Sequence, residues 1–102
     1  MSERMVKEKQ KVLNNFMEKN GKVKTIPAQQ KKKLFLLEHM AEGLKVGTKY
    51  SEKEINEYIK HFHDDFATLR REFIIHQFMY RENSVYEVNP KEMWGSTPLY
   101  KQ

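Results

Sequence analysis

The sequence predicts an α+β, mostly helical fold, a winged helix-turn-helix with an added N-terminal helix. Three observations carry that expectation. From Pro27 onward, apolar spacing and turn residues read in the order helix, short strand, helix, turn, helix, two-stranded hairpin. The last two helices are separated by about four residues, as a helix-turn-helix requires. The hairpin follows the second of them at once, and a lone hairpin is marginal in water without a helical layer to pack on.

Residues 2–19 read as an amphipathic helix. Met5, Val12 and Phe16 share one stripe, with Val6, Leu13 and Met17 beside it. Asn20-Gly21 is its predicted stop, because glycine accepts the left-handed conformation of a helix C-terminus. Lys22 to Ile26 alternates polar and apolar residues, the pattern of a short extended segment. The residue before Pro27 is biased the same way. Pro27 suits the first turn of a second helix, expected to run to about Glu42 and stop at Gly43. Leu34, Leu37 and Ala41 form its buried stripe. Phe35 and Leu36 point elsewhere, so this helix should pack on more than one side, with the N-terminal helix as a natural neighbour.

Val46 to Tyr50 is expected to hold a short strand. Ser51 with Glu54 three residues on is a capping box, in which each side chain satisfies the other's backbone N–H. Ile55, Tyr58, Ile59 and Phe62 fall on one face of the helix that follows. His61 to Asp64 interrupt it. Asp64 or Asp65 caps a further helix to about Gln77, with Phe66, Leu69 and Phe73 facing inward. Phe78 to Arg81 and Val85 to Val88 are β-prone runs flanking Glu82-Asn83-Ser84, where Asn83 tolerates positive φ. Residues 1–90 thus read as a single domain. The tail, 91–102, carries Trp94, Gly95, Pro98, Leu99 and Tyr100 without periodicity, and either packs across the body or is flexible.

Composition narrows the function. The chain has 102 residues, 38% apolar and 32% charged, with twelve aromatic side chains for a small core. Mean hydropathy is −0.87, that of a well-solvated protein. The longest apolar run, Leu34 to Leu37, falls far short of the ~20 residues of a membrane span. No apolar segment near the start resembles a signal peptide, so a cytoplasmic location is expected. The absence of cysteine removes disulfides, thiol catalysis and thiolate zinc sites. Formal net charge is +5, which suits a polyanionic partner. Its distribution is uneven. Residues 1–49 hold 12 Lys/Arg against 5 Asp/Glu, +7, and residues 50–102 hold 7 against 9, −2.

The segment Asp65-Phe66-Ala67-Thr68-Leu69-Arg70-Arg71-Glu72-Phe73 resembles the recognition helix of DeoR-like and GntR-like bacterial repressors. A broader resemblance, over roughly Thr25 to Val88, is to a prokaryotic domain-of-unknown-function family numbered 2087, often joined to transcriptional regulators. The matching stretches are Thr25-Ile26-Pro27, Lys32-Lys33-Leu34, Leu37-Glu38-His39, Tyr50 through Asn56, His63 through Glu72, and Tyr80-Arg81-Glu82. The resemblance implies a winged fold and supplies no established activity. Such domains often carry a glycine between recognition helix and wing. This chain instead reads Ile75-His76-Gln77-Phe78, so the helix is expected to end differently or the wing to be aimed differently.

Residues 64–76, wound at about 100° per residue, put Leu69 and Phe73 at the core centre and Thr68 and Arg71 on the opposite face. Arg71 then suits bidentate contact with guanine in a major groove, and Thr68 a base edge or a phosphate. Arg70, at the edge of the buried face, suits a phosphate or an internal acid such as Glu54 or Glu57. Ile75 lies outward with Arg71, which implies packing beneath the wing or a protein interface. Lys31, Lys32 and Lys33 suit phosphate contact, against the plainer reading of a solvated charge run. Arg81 and Lys91 bring charge near the wing. Tyr80 and Tyr86 read as cross-strand packing. His61, His63, Asp64 and Asp65 are metal-ligand types, but the two histidines at i, i+2 do not share a helical face. No third histidine is near in sequence, so neither metal nor cofactor is expected. No nucleophile signature or phosphate-binding glycine loop accompanies them, so no enzyme is expected.

The leading expectation is therefore a DNA-binding transcriptional regulator, or the DNA-binding module of one, acting on double-stranded DNA. The N-terminal helix offers a pairing surface for a homodimer, which would present two reading helices to a palindromic site. The alternative is a winged protein-interaction or dimerisation domain without DNA contacts. Its motives are the net negative second half and the outward Ile75.

Overall fold

The computed structural model describes residues 3–95. Among these are four helices and a three-stranded antiparallel sheet, so the expected α+β class holds. The helices are α1 (Glu3–Phe16), α2 (Gln30–Ala41), α3 (Glu52–Lys60) and α4 (Phe66–Ile75). The strands are β1 (Lys49–Ser51), β2 (Met79–Glu82) and β3 (Val85–Val88), in the order β1-β3-β2. No helix of the described residues is long and apolar enough to cross a membrane.

Helix α1 is shorter than its periodicity predicts. Beyond Phe16 the chain turns back on itself, and Met17 forms an antiparallel bridge with Val23. Gly21, at φ 89°, closes that turn rather than capping the helix. The Val23 amide donates to the Phe62 carbonyl, which anchors the returning segment to the end of α3. Pro27 is buried in the connection and does not open α2, which starts at Gln30 without a side-chain cap. Phe35, Leu36, Leu37, Met40 and Ala41 are all buried, so α2 packs on several sides at once.

Gly43 does not terminate α2 through positive φ. Its role is close approach. A Cβ there would lie 2.2 Å from the Tyr58 hydroxyl, which donates to the Met40 carbonyl. Any side chain at residue 43 would have to push that hydroxyl aside and break its hydrogen bond to Met40. Strand β1 is later and shorter than Val46–Tyr50. It leads directly into Ser51, whose Oγ accepts from the Glu54 amide while the Glu54 carboxylate accepts from the Ser51 amide. Both halves of the capping box are therefore made.

The core joins α2, α3, α4 and the inner sheet face. Leu36, Leu37, Ile55, Ile59, Leu69 and Phe73 are fully buried, with Phe78, Met79, Tyr86 and Val88 closing it from the sheet. Asp65 caps α4 by accepting from the Thr68 amide. The helix ends in a Schellman arrangement, in which the Phe78 amide reaches back to Phe73 and the Gln77 amide to Ile74. The rings of Phe73 and Phe78 meet at 5.8 Å across it. The left-handed residue of that motif is Gln77, at φ 65°. Here the chain supplies with glutamine what glycine usually supplies, and its carbonyl is held by Asn89 Nδ2 at 3.0 Å.

The hairpin turn is Asn83-Ser84, both at positive φ, and Glu82 pairs with Val85 across it. Two consecutive left-handed residues make the type I′ turn, which matches strand twist. Residues 91–95 pack on the body. Trp94 lies against Phe78 and donates its indole N–H to the Asn89 carbonyl. Leu99 and Tyr100 lie outside the described residues.

Candidate nucleic-acid interface

Helix α4 and the β2–β3 hairpin meet along a cleft of about 230 Å³ lined by Arg70, Arg71, Ile74, Ile75, Arg81 and Tyr86. Three arginines line it and no acid does. Each element contributes for a local reason. Leu69 and Phe73 lock one side of α4 into the core, so Arg71 and Ile75, one turn apart, are turned outward. Arg81 pairs directly with Tyr86 across the hairpin. The pleat puts it on the same sheet face as buried Tyr86, Met79 and Val88, the face turned to the helices. Beyond the core, that face carries Arg81 to the cleft.

The three arginines differ in what holds them. Arg70 Nη1 donates to Asn56 Oδ1, and its Nε lies 4.0 Å from a Glu52 carboxylate oxygen. The internal acid is therefore Glu52, with Asn56, and not Glu54 or Glu57. Glu54 is engaged in the capping box, and Glu57 pairs along its own helix with Lys60 at 3.7 Å. Glu52 also accepts from the Tyr86 hydroxyl at 2.9 Å. Burial and that hydrogen bond hold the Tyr86 phenol above its ordinary pKa, against the pull of Arg70 and Arg81. Arg71 is exposed and, among the described residues, its guanidinium makes no ion pair or hydrogen bond. Arg81 is exposed as well.

The other sequence candidates lie elsewhere. Thr68 is half-buried near the start of α4 and does not line the cleft. The three lysines of α2 are engaged internally. Lys31 pairs with Glu8 at 2.9 Å, Lys32 lies over the Phe16 ring, and Lys33 reaches Glu72 at 3.4 Å. The first two join α2 to α1, and the third joins α2 to α4. Glu72 also bonds His76 Nε2 at 2.9 Å, completing a mostly buried chain of three side chains. Lys91 sits over Trp94 and away from the hairpin tip. Tyr80 donates across the strands to Glu87. His63 Nδ1 accepts from the Asp65 amide, so the polar turn supports the α4 cap.

Sequence reasoning missed Glu52, Asn56 and Ile74. Glu52 and Asn56 are four residues apart and share one face of α3, a spacing that marks them as a pair, and the structure turns that pair toward Arg70 of α4.

The family model described as "Uncharacterized protein conserved in bacteria (DUF2087)" matches residues 22–88. The chain belongs to that family. The DUF2087 span opens beside the Val23 bridge and closes at the last residue of β3, so it contains the whole cleft. Helix α1 lies before it and the 3-10 turn Lys91–Met93 after it. Comparisons with curated proteins and with solved structures give no match.

Proposed function

We propose that this DUF2087 chain is a winged helix-turn-helix module that binds double-stranded DNA, with α4 as the reading helix and β2–β3 as the wing. The single observation that carries the reading is the cleft with three arginines and no acid in its lining. Element order supports it too, since α3, the turn 61–65 and α4 precede the hairpin in the order of the motif. In this reading Arg71 contacts a base edge, because its fork matches the two acceptors of guanine in the major groove. Arg81 contacts the phosphate backbone from the wing. Arg70, held by Asn56 and Glu52, orients α4 on α3 and adds positive potential. Regulation of transcription is the use this implies for such a module, in the cytoplasm of a bacterial cell.

The test is fluorescence anisotropy on a random-sequence duplex over a salt series. Binding should weaken steeply with salt, because released counterions set the slope. Arg81→Ala should flatten that slope by roughly one unit, whereas Arg71→Ala should relax the preference for a selected site over random duplex. No duplex binding at low salt sinks the proposal.

A second reading is a protein-interaction or homodimerisation domain on the same fold. It is favoured by the internal engagement of Lys31, Lys32 and Lys33 and by the exposure of Ile75, Tyr80 and Val85. The same duplex titration separates the two readings, since a dimer without DNA fits both and this one requires in addition that no duplex binds.

A further inference from the structure

Ile75 is the one exposed residue of the cleft whose chemistry a phosphate does not explain. Its side chain is 47% exposed on the outward face of α4, one turn beyond Arg71. Both line the cleft with Arg81, and Ile74 and Tyr86 form the apolar part of its wall. A lone exposed isoleucine is common on protein surfaces. One flanked by two outward arginines is a different matter, since it would sit against the polyanion those arginines recruit. Only one feature of a DNA major groove rewards an aliphatic side chain, the C5-methyl group of thymine.

We infer that Ile75 is a specificity-determining residue that contacts a thymine methyl beside the base contacted by Arg71. The inference rests on the DNA-binding reading of the same cleft. Spacing sets the pattern. Residues 71 and 75 are about 6 Å apart along the helix axis, at about 1.5 Å per residue. Base pairs stack about 3.4 Å apart. The thymine therefore lies one or two base pairs from the guanine, toward the C-terminal end of α4. Other apolar side chains near the hairpin do not compete for this contact. Tyr80 and Val85 lie on the opposite sheet face, with Glu87.

The experiment selects binding sites from a random duplex library with the full chain, then resynthesises the best site with deoxyuridine in place of each thymine. That exchange removes one methyl and leaves every hydrogen-bonding edge intact. At one position the wild type should lose about fourfold in affinity, the ~0.8 kcal/mol of one buried methyl converted at ~1.4 kcal/mol per tenfold. The Ile75→Ala variant should bind the thymine and uracil duplexes equally, and 5-methylcytosine opposite guanine at that position should recover wild-type affinity in part. Ile75 is exposed, so the variant should keep the wild-type melting temperature, which is checked by circular dichroism.

If a site is selected but no uracil exchange distinguishes wild type from variant, the inference falls and the DNA reading stands. If no site is selected and no duplex binds, the DNA reading falls and takes the inference with it. A wild-type dimer that Ile75→Ala converts to a monomer assigns Ile75 to a protein interface and also overturns the inference.

Discussion

Replacing Gln77 with glycine should stabilise the protein. Gln77 holds φ 65° at the end of α4, where a residue with a Cβ is strained by roughly 1–2 kcal/mol. The main-chain bonds of the turn survive the exchange, since the Gln77 amide, the Gln77 carbonyl and the Phe78 amide are all backbone groups. No hydrogen bond of the Gln77 side chain offsets the strain among the described residues. Glycine gives back part of the gain through its freer unfolded chain, about 0.4–1 kcal/mol. The net expectation is a gain of about 0.5–1 kcal/mol, or a rise of roughly 2–6 °C in Tm for a domain of this size. Differential scanning calorimetry of wild type, Gln77→Gly and Gln77→Val measures it. The β-branched valine should lower Tm, because it tolerates positive φ least. A glycine variant melting at or below wild type would refute the reasoning, and would mean that the Gln77 side chain supports the hairpin in some other way. The same turn aims β2, so DNA binding by the glycine variant should stay within twofold of wild type.

Glu52→Gln should raise duplex affinity severalfold and steepen its salt dependence, because it removes the acid beside Arg70 and the cleft; anisotropy that does not change would count against the cleft as the binding surface. Lys33→Ala should cost about 1–2 kcal/mol in urea unfolding, less than the ~3–5 of a fully buried pair, because Lys33 and Glu72 keep some contact with water. Tyr86 and Tyr58 both bind their protons more tightly folded than unfolded, burial being the first cause in each. Their contribution is complete below the unfolded tyrosine pKa of about 10 and is lost as pH rises through the higher folded values. Tm should therefore fall above about pH 10, and less steeply in Tyr86→Phe.

Local chemistry was legible in the sequence wherever one residue type and its immediate neighbours decide the outcome. Ser51 and Glu54 gave the start of α3. Asn83 marked the hairpin turn, and the outward face of α4 followed from Leu69 and Phe73. What the sequence hid depends on neighbours distant along the chain. Helix α1 stops at Phe16 because Met17 pairs with Val23, whose amide is held by Phe62; no periodicity within residues 2–19 encodes that. Gly43 read as a helix stop, and α2 does end just before it, but the need for glycine there comes from the hydroxyl of Tyr58, fifteen positions on. Arg70 was placed correctly at the edge of the buried face, yet its partner was misjudged. Glu54 was already bound to its own cap, and a carboxylate engaged in a cap is not available to a neighbouring helix.

The uneven charge of the two halves is a coarse guide to where a polyanion would bind, because several lysines of the first half are committed to helix seams. Lys9 illustrates why. Burial works against its charge, but its hydrogen bonds to Glu38 and Glu42 outweigh that and hold its pKa above the ordinary value. Its cation holds α1 on α2. Lys31 and Lys33 act in the same way on Glu8 and Glu72. These pairs fix where the lysines point without removing the excess, since Glu8, Glu38 and Glu42 are already counted in the +7 of residues 1–49 and only Lys33–Glu72 draws on an acid of the second half. A partner in solution responds to charge within a Debye length of the surface it meets, about 10 Å at 0.1 M salt. The α4–hairpin cleft is lined by three guanidiniums, with the Glu52 carboxylate beside Arg70 and with Glu72 and Glu82 next in the chain to Arg71 and Arg81. Arginine keeps its charge at any relevant pH and offers a fork that matches phosphate and guanine alike, so under the proposed reading the contact with DNA falls to Arg71 and Arg81 rather than to the lysines of the first half.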